Sequence, residues 1–85
     1  MTVEEIAAAL KGQGLGSQLR TEEPGLLYLG DTLIAGMTLA WLEPYYSEYS
    51  RTIYTDSMHQ VPLEEVTREE VHDLAMFWKK HGGTA

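Results

Sequence analysis

The chain has 85 residues, no cysteine and a formal net charge of −7. A chain this short forms one domain over 1–85 and hides only about 60% of its unfolded surface, so its core is modest. The missing cysteines exclude disulfides and thiolate metal sites, and the negative charge disfavours direct contact with nucleic acid.

The charge is unevenly placed. Glu4 and Glu5 balance Lys11 and Arg20, and the acids and bases from Val66 onward also cancel. The net charge therefore lies between Glu22 and Glu65, where eight acids meet one base, Arg51. Such a field attracts basic surfaces, although acidity alone also keeps small proteins dispersed. Acids stand near the N-terminus where a signal peptide would be basic, and no apolar run reaches the roughly 18 residues of a membrane span. The expectation is a cytoplasmic protein with no membrane segment.

Thr2 and Glu5 form a capping box, which predicts a helix over 3–12 with Val3, Ile6, Ala7 and Leu10 on one face. Gly12, Gly14 and Gly16 follow closely. They suggest a phosphate loop only superficially, because they trail a helix and lack the Lys-Ser/Thr ending. Leu19-Arg20 starts a short strand, and Thr21 to Gly25 is a turn.

The most apolar stretch, Leu26 to Leu42, reads as a β-hairpin about Gly30-Asp31. Glycine at the first central position suits a type II′ turn. That register sets Leu29 against Thr32, Tyr28 against Leu33 and Leu27 against Ile34, with a bulge at Gly36 and one long strand to Leu42. Both faces of the hairpin are then apolar, which predicts a homodimer or larger.

Glu43-Pro44 ends that strand, and four tyrosines follow within ten residues: Tyr45, Tyr46, Tyr49 and Tyr54. A strand from Glu48 to Asp56 would turn Glu48, Tyr54 and Asp56 to solvent and Tyr45, Tyr49 and Ile53 to the core. Asp56-Ser57 makes a turn and Met58 to Val61 a last strand, ended by Pro62. A second capping box, Thr67 and Glu70, opens a helix over 68–81 with Val71, Leu74, Ala75 and Trp78 inward and Phe77 at the margin. Met76 points away from that face. Lys79, Lys80 and His81 complement its dipole, and Gly82-Gly83 stop it. The fold class is α+β: an antiparallel sheet of three to five strands between 18 and 61, flanked by an N-terminal and a C-terminal helix.

No catalytic set can be assembled. Glu69-x-x-His72 has the spacing of a di-iron helix, but such sites need two motifs on a bundle. Ser57 and His59 are neighbours without a third partner, and the paired glutamates sit in loops and first turns. Neither a metal nor a cofactor is expected.

What the sequence offers is surface. Exposed tyrosines beside acids are a common make-up of protein-binding patches. The expected partner is another protein with a basic surface, and the expected contact residues are Glu43, Tyr45, Tyr46, Glu48, Tyr54 and Asp56. In size, charge and lack of catalytic chemistry the chain resembles the small acidic phage-encoded inhibitors, such as anti-CRISPR proteins. That resemblance implies an inhibitor of nucleic-acid-binding machinery and transfers no individual residue. The alternative is an accessory subunit assembling through an apolar sheet face, with an enzyme or metal protein third.

Overall fold

A computed structural model describes residues 1–81. The chain forms helix α1 (Val3–Leu10), strands β1 (Leu19–Glu22), β2 (Leu26–Leu29), β3 (Thr32–Gly36), β4 (Leu39–Ala40), β5 (Pro44–Ser47), β6 (Thr52–Thr55) and β7 (Val61–Pro62), then helix α2 (Arg68–Lys80). This is the α+β architecture read from the sequence. Five strands make an antiparallel sheet in the order β1-β2-β3-β4-β7, and β5-β6 form a separate two-stranded ribbon. The ribbon interrupts the sheet in sequence, leaving after β4 and returning before β7.

Both capping boxes form. Thr2 and Thr67 each accept from the third helical N–H, and Glu5 and Glu70 reach back to the cap N–H. These contacts satisfy backbone donors that the first helical turn would otherwise leave open. The α-helical part of α1 ends at Leu10, short of the expected residue 12, and a wide turn over Lys11–Leu15 follows. Gly14 has φ 89, and this left-handed residue stops the regular ladder. The Gly82-Gly83 stop lies outside the described residues.

The hairpin at Gly30-Asp31 is present with Leu29 opposite Thr32 and Tyr28 opposite Leu33. Gly30 has φ 62. Beyond those pairs the expected register fails, because Leu27 faces Ala35 and not Ile34. The extra residue is Ile34, so the bulge lies there and not at Gly36. A bulge puts two successive side chains on one side, and Ile34 and Ala35 are indeed both fully buried. Gly36 has another reason to be glycine. It sits opposite Leu26, and a Cβ there would fall 2.5 Å from the Leu26 Cδ2.

The long strand to Leu42 is also corrected. The chain reverses at Met37-Thr38, so that Gly36 pairs with Leu39 and Ala35 with Ala40. Met37 leaves the apolar face expected for it and is 70% exposed. The last strand is shorter than expected: Met58 is exposed, and only Val61 and Pro62 pair with β4.

One face of the sheet is closed within the single chain. Leu27, Leu29 and Ile34 have no exposure and belong to the same core as Ile6, Leu10, Val71, Leu74, Ala75 and Trp78 of the helices. The indole N–H of Trp78 donates to Gln18 Oε1 at 3.1 Å, so the largest core ring leaves no polar atom unpaired. The opposite face is thinner, with Tyr28, Leu33 and Trp41 half-buried.

This core predicts a contrast on α2. Leu74→Ala removes a fully buried side chain and should cost about 2–5 kcal/mol, lowering Tm by roughly 10 °C or more. Met76→Ala, on the exposed arc, should stay within about 0.5 kcal/mol of the wild type. Thermal melts followed by circular dichroism measure both.

Candidate functional site

The tyrosine segment is a hairpin and not the continuous strand expected from Glu48 to Asp56. Its register pairs Pro44 with Thr55, Tyr45 with Tyr54, Tyr46 with Ile53 and Ser47 with Thr52. The loop is Glu48-Tyr49-Ser50-Arg51, with Arg51 at φ 54. Short polar side chains close it. Ser50 N–H donates to Ser47 Oγ at 3.3 Å, and Thr52 Oγ1 donates to the Ser50 carbonyl at 3.0 Å. Serines and threonines stabilise such turns by offering the backbone local partners.

Pairing decides which way each ring points. Tyr46 and Ile53 share the inner face: Ile53 is buried in the core, and Tyr46 stacks on His81 at 5.2 Å, an imidazole that also meets the Phe77 ring at 4.3 Å. Tyr45 and Tyr54 share the outer face, where their rings stack at 5.7 Å and remain 50% and 40% exposed. The Tyr54 hydroxyl donates to Ser50 Oγ at 3.2 Å, fixing the ring toward the loop. Two threonines fasten the ribbon to the sheet. Thr32 Oγ1 donates to the Ile53 carbonyl at 2.9 Å, and Thr55 Oγ1 donates to the Leu33 carbonyl at 3.2 Å.

Four of the six expected contact residues, Glu43, Tyr45, Glu48 and Tyr54, are exposed, whereas Tyr46 turns inward and Asp56 is half-buried at the ribbon root. Tyr45 and Tyr49 are corrections, since the strand reading turned both to the core. Tyr49 is fully exposed at the loop tip. Alternation stops at a turn, and this turn carries Arg51 where glycine or asparagine would mark the positive φ.

His59 was not expected in the site. Its Nδ1 lies 2.6 Å from Asp56 Oδ2 and 3.5 Å from Glu43 Oε2. Asp56 Oδ1 accepts from the Met58 N–H at 2.8 Å, and Asp56 N–H donates to the Glu43 carbonyl at 2.9 Å. These contacts knot the two ends of the ribbon together. The hydrogen bond to Asp56 and the nearby Glu43 charge push the His59 imidazole above its usual 6.5. The Met58 N–H, followed by the His59 bond, holds the Asp56 carboxyl below its usual 3.8.

A shallow groove beside the ribbon is lined by Leu33, Trp41 and Tyr54, with Asp31 also in its wall. Across the sheet, Arg20 pairs with Glu22 at 2.9 Å and lies over the Tyr28 ring at 4.5 Å. Among the described residues, no group of three His, Cys, Asp or Glu is arranged to hold a metal ion. No helix among them is long and apolar enough to cross a membrane. Comparison with protein-family models, with curated proteins and with solved structures returns no match.

The clasp at the ribbon root predicts a pH window. A raised His59 value means its contribution is complete below about 6.5 and is lost as pH rises through the folded value. A lowered Asp56 value means its contribution is complete above about 3.8 and is lost as pH falls through the folded value. The stability difference between wild type and His59→Gln should therefore be widest between those limits and shrink in high salt. Denaturant titrations across pH, with an NMR titration of the His59 ring, check it.

Proposed function

We propose that this protein is a small acidic, non-enzymatic binding module that inhibits a partner protein by occupying its basic, nucleic-acid-binding surface, as anti-CRISPR-type inhibitors do. The observation that carries this reading is the outer face of the β5–β6 ribbon. There the stacked Tyr45–Tyr54 pair and the fully exposed Tyr49 present large rings beside Glu48, with no covering element among the described residues. Rings held in place by a hairpin lose little conformational freedom on binding, so their buried area converts efficiently into affinity. Glu43, Glu48 and Asp56 outnumber the one arginine of the excursion, Arg51, and Glu48, which lies outside the His59 clasp, adds steering toward a basic partner. The same reading has the protein acting in the cytoplasm and as a homo-oligomer joined through the half-exposed Tyr28–Leu33 face.

A second reading rests on the groove of Leu33, Trp41 and Tyr54, which would dock an apolar partner and make the chain an accessory subunit. Salt separates the two, because steered association slows with ionic strength and apolar docking does not.

The test is capture of partners from a host lysate at low and high salt, with Glu48→Lys, Tyr49→Ala and Tyr54→Ala alongside the wild type. Asp56→Lys is unsuitable, since it would also break the turn at Met58 and the His59 bond. Glu48→Lys and Tyr49→Ala should fold with stability within about 0.5 kcal/mol of the wild type, and Tyr54→Ala should lose about 1 kcal/mol through its cross-strand pair with Tyr45. Loss of a tyrosine anchor should weaken binding by roughly 30-fold, the equivalent of about 2 kcal/mol. Undiminished capture by Glu48→Lys and Tyr49→Ala with loss in Tyr54→Ala alone would move the interface to the Trp41 groove, which Tyr54 also lines, and undiminished capture by all three would overturn both readings.

A further inference from the structure

Away from the ribbon, the first turn of α1, the Pro24-Gly25 turn and the Leu63 turn enclose an open groove. A second hollow beside it shares Met37, Leu63 and Glu64, so the two form one continuous depression. Its floor is apolar, made by Val3, Ala7, Pro24, Met37 and Leu63. Val3 and Ala7 lie one helical turn apart and are half-buried, forming a second stripe beside the buried Ile6 and Leu10. Val3 and Ala7 pack against the core on one side and keep part of their surface toward the groove.

Met37 adds an independent observation. It sits at the reversal between β3 and β4 with φ 59, a left-handed conformation that glycine or asparagine adopts more easily. It is also 70% exposed, so folding gains neither burial nor a relaxed turn from a methionine there. A residue that breaks a local rule without a folding return points to use at the surface. Methionine suits that use, being unbranched and able to reshape around an apolar ligand.

The rim is acidic, formed by Glu4, Glu5 and Glu64. Two positive groups, the Met1 amino group and Arg68, lie near this rim. The Met1 amino group donates to the Leu63 carbonyl at 2.6 Å, and Arg68 stands close enough to act on the Glu5 carboxylate. Glu5 is itself bound to the Thr2 N–H at 2.8 Å, which leaves Glu4 and Glu64 as the acids turned outward.

We propose that this groove takes an amphipathic helix of a partner protein, one whose apolar stripe is flanked by lysine or arginine. The i, i+4 ridge of Val3 and Ala7 is the surface against which a second helix packs, and the small Ala7 lets the two backbones approach. The acidic rim then meets the basic flanks. A second copy of this chain fits poorly, because a two-fold contact would bring the glutamate rims together. This site stands apart from the ribbon and can be tested without it.

The probe is a labelled peptide of about 15 residues, roughly four helical turns, with leucines at i, i+3, i+4 and i+7 and lysines on the flanks. A scrambled peptide of the same composition and a glutamate-flanked version are the controls. Fluorescence anisotropy should show saturable binding of the basic amphipathic peptide alone, weakening with salt. Met37→Asn should melt at or above the wild-type temperature while binding roughly tenfold more weakly, and Glu4→Lys with Glu64→Lys should also weaken it. Amide shifts on titration should cluster at Val3, Ala7, Met37 and Leu63.

Binding no tighter than the scrambled control, or full affinity in Met37→Asn, would overturn the proposal. So would shifts confined to Tyr45, Tyr49 and Tyr54, a result that places the basic peptide on the ribbon and leaves the ribbon reading standing. Self-association of the wild type that Met37→Asn abolishes would likewise overturn it, in favour of a contact between copies.

Discussion

The extra residue at Ile34 sets the geometry on which the rest of the chain depends. Without it, strict alternation would turn Leu33 and Ala35 to one face and leave Ile34 on the other. With it, Leu33 points outward opposite Tyr28, while Ile34 and Ala35 both turn into the core. The inner face of β2 and β3 thereby becomes continuous enough for two short helices to cover. An 85-residue chain with no cysteine has no covalent brace, so closing that one face well is the main source of its stability. A bulge also increases strand twist, and β3 is followed immediately by the reversal at Met37-Thr38. From there the phase is fixed again: Ala40 and Leu42 point in, and Leu39 and Trp41 are half-buried on the other side.

The helices were legible because their signals are local and redundant. Thr2 with Glu5, and Thr67 with Glu70, mark where each helix begins, and the 3.6-residue period marks which face is inward. The first hairpin was legible because glycine occupies the turn position that needs it. The two later reversals were not, and for one shared reason. Met37 and Arg51 take positive φ without being glycine or asparagine, so the usual turn signature is missing from the sequence. An alternating pattern read across an unmarked turn assigns the wrong face to everything near it. That is why Tyr45 and Tyr49 were placed in the core, whereas Ile53 and Tyr54, further along the returning strand, were placed correctly.

The same errors fall at the surfaces with the most to offer a partner. Tyr49 and Met37 are the two apolar or aromatic residues displaced farthest from where alternation puts them, and each stands at a reversal on the protein surface. Turns project their side chains without neighbours on both sides, so a large residue there is exposed by construction. Natural chains usually fill such positions with small polar residues, which satisfy the turn and favour solubility. Rings and thioethers at these points are a cost to the isolated fold, and the acids nearby, Glu48 at one and Glu64 at the other, offset the loss of solubility.

Charge and shape are coupled most tightly at the ribbon root. Asp56 and Glu43 would repel each other where the two ends of the excursion come together, and like charges in close register destabilise a pair of strands. His59 lies between them, 2.6 Å from one carboxylate and 3.5 Å from the other. Bonded to Asp56 and close to Glu43, the imidazole is held above its usual value, which favours the charged form that offsets this repulsion. The threonine bonds from Thr32 and Thr55 to the facing backbone hold the sheet side of that hairpin without using any charge. Glu48, next to Tyr49 in the loop, stands apart from this clasp and is exposed on the same excursion as the tyrosines. A neutral pair at the root could have closed the hairpin as well. It would have left the ribbon without the pH dependence that the His59 clasp gives it.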